Sequence, residues 1–362
     1  MNNGMIQIKY QARLNNFQLA VDVSIPSRGI TVIFGESGSG KSSLLNLIAG
    51  FNNEIIIEAA QFSLNETAYD DHKNNVRVKP WKRNIAYVFQ DNRLFPHMTV
   101  EQNILFGFSR RNRKSSSLNK NELINTFKIT ELLKHYPAQL SGGQKQRVSM
   151  VRALLSSPDL LIMDEPLAAL DYTSRQELLP YIETIHNELT IPVLYVSHDI
   201  KEVLRLADYI VLMDRGSVVA QGELSELCIS QPLLTQAEGS SFILQGNVDV
   251  VYRDEKLLSV KCEHKTILIT GDGFKTGDEL RVLIHAKDVS LCITPPADSS
   301  ILNCVPVVID SIVENAHGKF QVYAKLGEQI VVAMISQRSC NALDIKAGKQ
   351  VYAQFKATAM IK

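Results

Sequence analysis

The stretch GESGSGKS, residues 35–42, is the clearest indication of how the first part of this chain folds. It matches the pattern G-x-x-x-x-G-K-[ST], in which glycines let backbone N–H groups surround phosphate oxygens while the lysine reaches the β- and γ-phosphates. The apolar run Ile30–Phe34 precedes it, and Lys41–Ala49 follows with leucines at helical spacing before Gly50. The sequence therefore predicts a strand, a phosphate-binding loop and a helix, in that order.

A helix that begins at this loop directs its N-terminal N–H groups and its dipole at the phosphates. Lys41 supplies positive charge, and the Ser42 hydroxyl is expected to take a coordination position on a magnesium ion. The alternative, a glycine-rich turn without a ligand, is disfavoured by the strand and the helix on either side. Contacts to a nucleotide are predicted at Gly35, Glu36, Ser37, Gly38, Ser39, Gly40, Lys41, Ser42 and Ser43.

Two further motifs lie far along the chain, Leu140–Gln144 (LSGGQ) and Leu160–Glu165 (LLIMDE). The serine and glycines of the first open a predicted helix that runs to about Leu155, and such a helix start is an anion site. The second is a buried strand that ends in two carboxylates, which can divide the work between a metal ion and a water molecule. The alternative, two solvated acids after a strand, is disfavoured by the run Ala168–Asp171 (AALD) that follows.

Taken together, these motifs resemble those of the ABC ATPase family. The resemblance implies that Asp164 assists the magnesium ion and that Glu165 is the general base for the attacking water. Gln90, after the predicted strand Ile85–Phe89, matches the glutamine that senses magnesium and the γ-phosphate in that family. His198 matches its switch histidine, whose imidazole orients the water. Taken alone, the glutamine would be a surface residue and the histidine a structural one.

The same resemblance implies a homodimer. The phosphate loop already holds phosphates of its own, so the second anion site is expected to serve the ATP bound to a partner chain in a head-to-tail pair. Closing and opening of that pair would couple ATP binding and hydrolysis to mechanical work. The residues expected to reach the partner's ATP are Ser141, Gly142, Gly143, Gln144 and Asp171.

The distribution of strands and helices predicts two domains. In the first part of the chain, compact apolar strands alternate with helices, which is typical of an α/β core. A small antiparallel subdomain is expected at residues 52–82, and a helical one between Glu101 and Pro137, interrupted by a basic loop at 109–117. We predict an α/β phosphate-loop ATPase domain at residues 1–235, then an all-β, OB-like domain at 240–362 with a core motif at about 296–362.

Composition narrows the function class. Lys plus Arg and Asp plus Glu number 38 each, so the zero net charge disfavours nucleic acid as a partner. The five cysteines stand singly, without zinc-site or disulfide spacing, which indicates a reducing cytoplasm. The first residues do not resemble a signal peptide, and no apolar run approaches the ~20 residues of a membrane-spanning helix. If the protein acts at a membrane, another chain is expected to cross it.

The spacing and the C-terminal part favour an importer. About fifty residues separate Gln90 from Leu140, too few for the long coiled coil of DNA-repair relatives. The runs at 284–291 (IHAKDVSL) and 300–305 (SILNCV) resemble the TOBE region of molybdate-importer ATPases. This implies a peripheral ATPase on the cytoplasmic face of the inner membrane, with a membrane permease dimer as partner and a periplasmic oxyanion-binding protein as an indirect one. Asp91–Val100 would then receive a permease helix, or else is an ordinary exposed loop.

Several alternatives stay open at this point. Importers of sulfate, iron or sugars share the same features, and a soluble ABC ATPase of DNA or ribosome maintenance is the alternative from another class. Tyr10 and Phe17 are the two candidates for stacking on the ATP base. Ser300, Asn303 and Lys319 could bind molybdate as a regulatory ligand; alternatively, the β domain only cements the ATPase dimer.

Overall fold

The computed structural model of the protein describes residues 4–14, 17–51, 55–64, 67–106, 119–188, 191–231, 240–314 and 318–357. They form two compact units, Met1–Glu223 and Leu224–Lys362. The predicted end of the first domain at residue 235 lies outside the described residues. None of the described helices is both long and apolar enough to cross a lipid bilayer.

The first unit combines strands and helices in the predicted α/β pattern. Its strands are β1 (Met5–Leu14), β2 (Phe17–Pro26), β3 (Ile30–Phe34), β4 (Ile56–Leu64), β5 (Thr67–Asp71), β6 (Val76–Arg77), β7 (Ile85–Val88), β8 (Leu160–Asp164), β9 (Val193–Ser197), β10 (Tyr209–Asp214) and β11 (Ser217–Glu223). Its α-helices are α1 (Lys41–Ala49), α2 (Val100–Leu105), α3 (Lys120–Thr126), α4 (Gly142–Leu155), α5 (Tyr172–Glu188) and α6 (Ile200–Leu206). Short 3-10 helices span Pro80–Lys82, Thr130–Leu132 and Pro137–Gln139.

All eleven strands join one sheet in the order β6-β5-β4-β1-β2-β11-β10-β3-β9-β8-β7. The last five strands in that order run parallel to one another. Strands β3 and β9 are buried at every residue, as expected for continuous apolar runs in a parallel sheet covered on both faces. The long hairpin β1–β2 alternates buried and exposed residues instead, because the antiparallel end of the sheet faces solvent on one side.

The strand order determines where the candidate site lies. Parallel strands end at the same edge of a sheet, and ligands of open α/β sheets bind outside their carboxyl ends. β9 lies between β3 and β8, and β7 borders β8. The segments that follow these four strands carry the phosphate loop, His198, the pair Asp164 and Glu165, and Gln90, so the fold brings them to one edge.

Helix α1 has the predicted bounds, from Lys41 to Ala49. It begins after Gly40 and ends at Gly50, and both glycines adopt left-handed backbone conformations. Its apolar side chains pack into the core under the sheet, and Leu45, Leu47 and Ile48 are fully buried. This packing fixes the phosphate loop to the sheet, because the helix and strand β3 hold it at both ends.

The two predicted subdomains are also present. Strands β4, β5 and β6 are antiparallel and pair with β1, which matches the antiparallel subdomain expected at residues 52–82. Helices α2 and α3 lie in the region predicted to be helical, and α2 packs on α4. The basic stretch at 109–117 lies outside the described residues.

The second unit is rich in β-strands, as predicted. It contains β12 (Ser241–Tyr252), β13 (Leu257–Cys262), β14 (Lys265–Thr270), β15 (Glu279–His285), β16 (Ser290–Cys292), β17 (Asn303–Glu314), β18 (Lys319–Leu326), β19 (Gln329–Ser336) and β20 (Gln350–Phe355), with the short helices α7 (Leu224–Ser230) and α8 (Gln337–Ala342). They form two antiparallel sheets, β14-β13-β12-β15 and β16-β20-β17-β18-β19, over one shared apolar core.

Two side-chain amides join the sheets of the second unit in the way that backbone pairs do. Asn303 accepts from Leu268 N–H at 2.6 Å and donates to the Leu268 carbonyl at 2.8 Å. Gln329 makes the same two-way contact with the Gln245 backbone, at 2.7 and 3.0 Å. Because both bonding groups of each amide are occupied, these side chains hold the sheets together.

The three residues suggested for an oxyanion site do not lie together in a single chain. Asn303 is buried, and its amide makes two hydrogen bonds to the Leu268 backbone, so the side chain is turned to β14. Lys319 begins β18, whose register pairs Phe320 with Glu314 at the far end of β17 from Asn303. Ser300 lies on the exposed segment before β17. The spacing of the residues in sequence did not reveal that one long strand separates two of them.

Candidate functional site

The phosphate loop wraps around the Lys41 ammonium group. Lys41 Nζ donates to the Gly35 carbonyl at 2.9 Å and to the Glu36 carbonyl at 2.8 Å. Burial lowers the pKa of Lys41, while the charges of Glu165 and Asp164 oppose that shift. The ammonium group is therefore already held inside the loop, close to both carboxylates at the end of β8.

The loop requires glycine at two positions where neighbouring atoms approach closely. A Cβ on Gly35 would lie 2.2 Å from the Met213 carbonyl oxygen. A Cβ on Gly40 would lie 2.9 Å from Phe17 Cζ, and its φ of 100° is unfavourable for other residues. The Ser39 hydroxyl is buried without a hydrogen-bond partner among the described residues. A buried unpartnered hydroxyl inside a loop of backbone N–H groups fits a site that receives phosphate oxygens.

Asp164 is held between two hydroxyl groups. Ser42 Oγ donates to Asp164 Oδ1 at 3.1 Å, and the Tyr87 hydroxyl donates to Oδ2 at 2.9 Å. Burial raises the pKa of Asp164, and the bonds from Tyr87 and Ser42 lower it. Where Mg²⁺ also binds the phosphate oxygens of a substrate, the protein supplies hydroxyl and carboxylate oxygens as its ligands. The Ser42 and Asp164 pair therefore fits a magnesium ion.

Glu165 and His198 face each other across the ends of β8 and β9. His198 Nδ1 lies 3.5 Å from Glu165 Oε1, and Glu165 N–H donates to the Val196 carbonyl at 3.1 Å. Glu165 has a φ of 44°, a left-handed conformation that costs a residue with a side chain of order 1–3 kcal/mol. Such strain persists where the surroundings impose it. The left-handed residue directly follows the end of β8 at Asp164, and its carboxylate faces His198.

Gln90 follows β7 by two residues, and its side chain is exposed. Behind it, the Phe89 ring stacks on Tyr87 at 4.2 Å. The next residues, Asn92 and Arg93, both have positive φ, at 61° and 40°. Arg152 of α4 donates to their carbonyls at 3.0 and 2.8 Å. The segment after Gln90 is therefore tied to the helix that the LSGGQ motif begins.

The LSGGQ motif forms the start of α4. Ser141 Oγ accepts from Gln144 N–H at 3.3 Å, and Ser141 N–H donates to Gln144 Oε1 at 2.9 Å, which is a capping box. Gly142 is exposed and Gly143 is buried. The cap leaves the first N–H groups of α4 without partners inside the helix, as an anion site requires.

Asp171 occupies the corresponding position before α5. Its carboxylate accepts from Ser174 Oγ at 2.7 Å and from Ser174 N–H at 3.2 Å. These bonds lower the pKa of Asp171, so the exposed carboxylate stays ionised at neutral pH. Asp171 and the LSGGQ residues thus bond within their own helix ends, whereas Lys41, Ser42, Asp164, Glu165 and His198 are gathered in one cluster.

The structure distinguishes between the two aromatic residues that are candidates for stacking on the ATP base. The Tyr10 ring is fully buried and its hydroxyl donates to Asp70 Oδ2 at 2.5 Å, so it cannot stack on a ligand. Phe17 is only partly buried and lies against Gly40 of the phosphate loop. Phe17 is therefore the candidate that the structure favours.

Tyr87 and Arg152 are site residues that the sequence analysis missed. Tyr87 lies within the run Ile85–Phe89, where an apolar pattern predicts only a buried strand. Arg152 occupies a polar position of a helical pattern, and such positions normally face solvent. In both cases the partners, Asp164 and the Asn92 carbonyl, lie 77 and 60 residues away in sequence. The pairing of β7 with β8 and the packing of α4 on β7 bring them together.

Comparison with known proteins identifies the family. A model of the ABC transporter family matches residues 19–168, and one of the TOBE domain matches residues 299–361. The chain is 36% identical to the molybdenum import ATP-binding protein ModC of Pectobacterium atrosepticum, over 98% of this chain and 99% of that protein. It is 39% identical to ModC of Mannheimia succiniciproducens, over 99% of this chain and all of that protein.

Solved structures match the first part of the chain. A dimeric ATP-binding cassette bound to ADP and inorganic phosphate is 25% identical with a TM-score of 0.50, over 61% of this chain and 99% of that one. A cassette from Clostridium perfringens, part of an ABC transporter complex, is 23% identical with a TM-score of 0.53, over 65% of this chain and 94% of that one. These likenesses confirm the ATPase fold, and the curated relatives extend over nearly the whole chain. The chain belongs to the molybdenum import ATP-binding proteins of the ABC transporter family.

Proposed function

We propose that the chain is the ATP-hydrolysing subunit of a molybdate importer. The observation that carries the proposal is the meeting of Lys41, Ser42, Asp164, Glu165 and His198 at the carboxyl edge of β3, β8 and β9. This set offers a cation for the phosphates, oxygen ligands for magnesium and a base for water. The near-complete match to molybdenum import proteins supports molybdate as the transported ion.

Hydrolysis needs a charge at the phosphates and a base at the water. Lys41 would exchange its bonds to the loop carbonyls for bonds to phosphate oxygens when ATP enters. Ser42, Asp164 and Gln90 would hold a magnesium ion, and the ion would supply positive charge opposite the charge that develops on the phosphates. Glu165 would take a proton from the attacking water, which His198 orients through its imidazole. General-base catalysis of this kind contributes about 10²–10⁴ to a rate.

Two chains are needed for a complete site. In one chain, the LSGGQ residues and Asp171 make their hydrogen bonds within their own helix ends and not with the phosphate loop. We place Ser141, Gly142, Gly143 and Gln144 on the ATP held by a partner chain, with Asp171 beside them. Each ATP would then join two chains, and hydrolysis would release them.

The opening and closing of the pair would drive transport through other proteins. We place the chain as a peripheral subunit on the cytoplasmic face of the inner membrane, under a permease dimer that receives molybdate from a periplasmic binding protein. The segment Asp91–Val100 is the proposed contact with a permease helix. Its backbone is fixed on one side by Arg152, and on the other by Asn103, which accepts from Phe95 N–H at 2.8 Å. A loop that is fixed in this way can transmit a movement of the permease helix to α4.

The proposal is tested by uptake in cells that lack this chain. We expect loss of labelled molybdate uptake, restored by the wild-type gene and not by a gene carrying Lys41→Ala. Arg13→Met, which removes an exposed cation outside the site, is the matched control and should restore uptake. Uptake of labelled sulfate, iron and a sugar is measured in parallel. Loss of one of these with molybdate uptake intact would contradict the cargo and leave the ATPase assignment standing.

A further inference from the structure

The residues on either side of His198 are held by a buried carboxylate. Glu202 of α6 has a side chain that is only 5% exposed, and its Oε2 accepts from Tyr195 and from Ser197, each at 2.8 Å. Ser197 Oγ also accepts from Asp199 N–H at 3.0 Å. The hydroxyl next to His198 on one side thus fixes the backbone on the other side.

A guanidinium group links this carboxylate to a second helix. Arg175 Nη1 donates to Asp199 Oδ2 at 2.7 Å and lies 3.7 Å from Glu202 Oε1. Arg175 belongs to the first turn of α5, where its N–H donates to the Asp171 carbonyl at 3.0 Å. The loop that carries His198 is therefore connected, through two charged groups, to the helix end that begins at Asp171.

Simple packing does not account for this cluster. Burial raises the pKa of Glu202, and the two hydroxyl donors lower it, so the carboxylate is kept in place by dedicated bonds. α6 already packs through the buried Val203, Leu204 and Leu206. It is also tied to α5 by a second ion pair, in which Arg205 Nη2 donates to Glu183 Oε2 at 3.0 Å. This packing and this second pair hold α6 in place without Glu202, whose carboxylate bonds instead to the Tyr195 and Ser197 hydroxyls.

We propose that Glu202 and Arg175 are positioning residues that hold His198 in its working orientation and make that orientation respond to the helix end at Asp171. The inference rests on the proposed ATP hydrolysis. When a partner chain displaces Asp171, the first turn of α5 would move Arg175, and through Asp199 and Glu202 the backbone around His198. The imidazole would then be set for catalysis only in the closed pair.

The first test is Glu202→Gln in the full-length chain. The amide keeps the shape and an acceptor for the two hydroxyls but removes the charge that faces Arg175. We expect kcat for ATP hydrolysis to fall about tenfold or more, because small displacements of a catalytic group have effects of up to about 100-fold. The dissociation constant for ATP should stay within about twofold, since the phosphate loop is untouched.

Arg205→Met is the matched control. It removes the other ion pair between α5 and α6, so it reports the general effect of loosening the two helices. We expect its kcat to stay within about twofold of wild type. A third chain, with Glu165→Gln and Glu202→Gln together, should still form an ATP-bound pair in size-exclusion chromatography, because dimer formation does not need the imidazole.

The outcomes separate the inference from the proposed function. A kcat for Glu202→Gln that equals wild type, or one lowered no more than that of Arg205→Met, would overturn the inference alone. A wild-type chain without ATPase activity would overturn the proposed function itself. If Glu202→Gln does not fold, Ser197→Ala removes only the Ser197 hydroxyl, with its bond to Glu202 and its bond from Asp199 N–H. A fall in kcat of about threefold or more with unchanged ATP affinity would support the inference, and an unchanged kcat would refute it.

Discussion

The Tyr87 hydroxyl donates a 2.9 Å hydrogen bond to Asp164 Oδ2, while Ser42 donates to the other oxygen of the same carboxylate. Burial and the nearby Asp164 charge raise the pKa of Tyr87, so this hydroxyl keeps its proton at any physiological pH. The bond in turn lowers the pKa of Asp164, against the effect of burial. Tyr87 therefore helps to keep the proposed magnesium ligand ionised.

Tyr87→Phe should move the acid side of the pH profile. Without the donor, the pKa of Asp164 rises further, so a larger fraction of the carboxyl is protonated at a given pH. We expect the acid limb of kcat/KM for ATP to shift to higher pH by up to about one unit, since one unit corresponds to about 1.4 kcal/mol and a hydrogen bond to a charged group is worth that much. Activity at pH 8 should change little.

The measurement is steady-state ATPase activity between pH 5 and pH 8. Tyr323→Phe is the control, because it removes a tyrosine hydroxyl that bonds only within the second unit, to Gln321 at 2.9 Å. An acid limb that stays where wild type has it would show that Tyr87 does not set the protonation of Asp164.

Much of the ATPase fold follows from local sequence patterns. The glycines at 35 and 40, the apolar run before them and the helix after them belong to one continuous segment, so a pattern of a few residues determines the local structure. The helix Lys41–Ala49 and the strand Ile30–Phe34 have their predicted bounds for this reason. Family resemblance then assigned Asp164, Glu165 and His198 to strand ends, which the strand order brings to one edge.

Contacts between distant segments could not be predicted in this way. Tyr10 was a candidate for contact with the ATP base because nothing near it in sequence reveals its bond to Asp70. Asp70 and its partner Arg83 lie far from Tyr10 in sequence. Asn303 looked like an anion donor because nothing near it in sequence reveals its bond to Leu268. Side chains that satisfy a distant backbone or a distant charge leave no periodic pattern in the sequence.

Glu165→Gln should stop turnover and leave ATP binding intact. The amide cannot take a proton from water, so we expect kcat to fall about 100-fold or more. Lys41, Ser42 and the start of α4 are unchanged, so ATP should still be bound and should accumulate between two chains. Light scattering after size-exclusion chromatography with ATP and magnesium measures the molar mass, which we expect to double.

Lys41→Ala is the comparison for that experiment. It removes the cation of the phosphate loop, and we expect neither ATP binding nor a pair. A Glu165→Gln chain that stays monomeric at saturating ATP would contradict the proposed head-to-tail arrangement. Normal hydrolysis by that variant would contradict the role of Glu165.

Arg152→Met should loosen the segment after Gln90. Asn92 and Arg93 hold left-handed conformations while Arg152 binds both carbonyls. Without the guanidinium group we expect the free energy of unfolding to fall by about 1.5–3 kcal/mol, the usual effect of losing hydrogen bonds to a charged group. Urea unfolding measures it, and hydrogen exchange at Asn92 and Arg93 should accelerate most. Arg13→Met, which breaks an exposed pair with Glu58, should stay within about 0.5 kcal/mol of wild type.

Arg83 forms a buried ion pair that joins α1 to the antiparallel strands. Its side chain is completely buried, and it donates to Asp70 Oδ1 at 2.7 Å, to the Ile48 carbonyl at 2.7 Å and to the Val78 carbonyl at 2.8 Å. Breaking such a pair from one side leaves a buried charge without its counter-charge. We expect Arg83→Met to lower the free energy of unfolding by about 3–5 kcal/mol.

The double variant Arg83→Met with Asp70→Leu separates charge from packing. If the main cost of Arg83→Met is the unpaired Asp70 carboxylate, removing that carboxylate as well should recover part of the stability, so the double variant is less destabilised than the sum of the two single variants by about 1–3 kcal/mol. Urea unfolding of all four chains gives this coupling energy. Simple additivity would mean that Arg83 contributes through its bonds to Ile48 and Val78. The ion pair would then not be what fixes the end of the phosphate-loop helix.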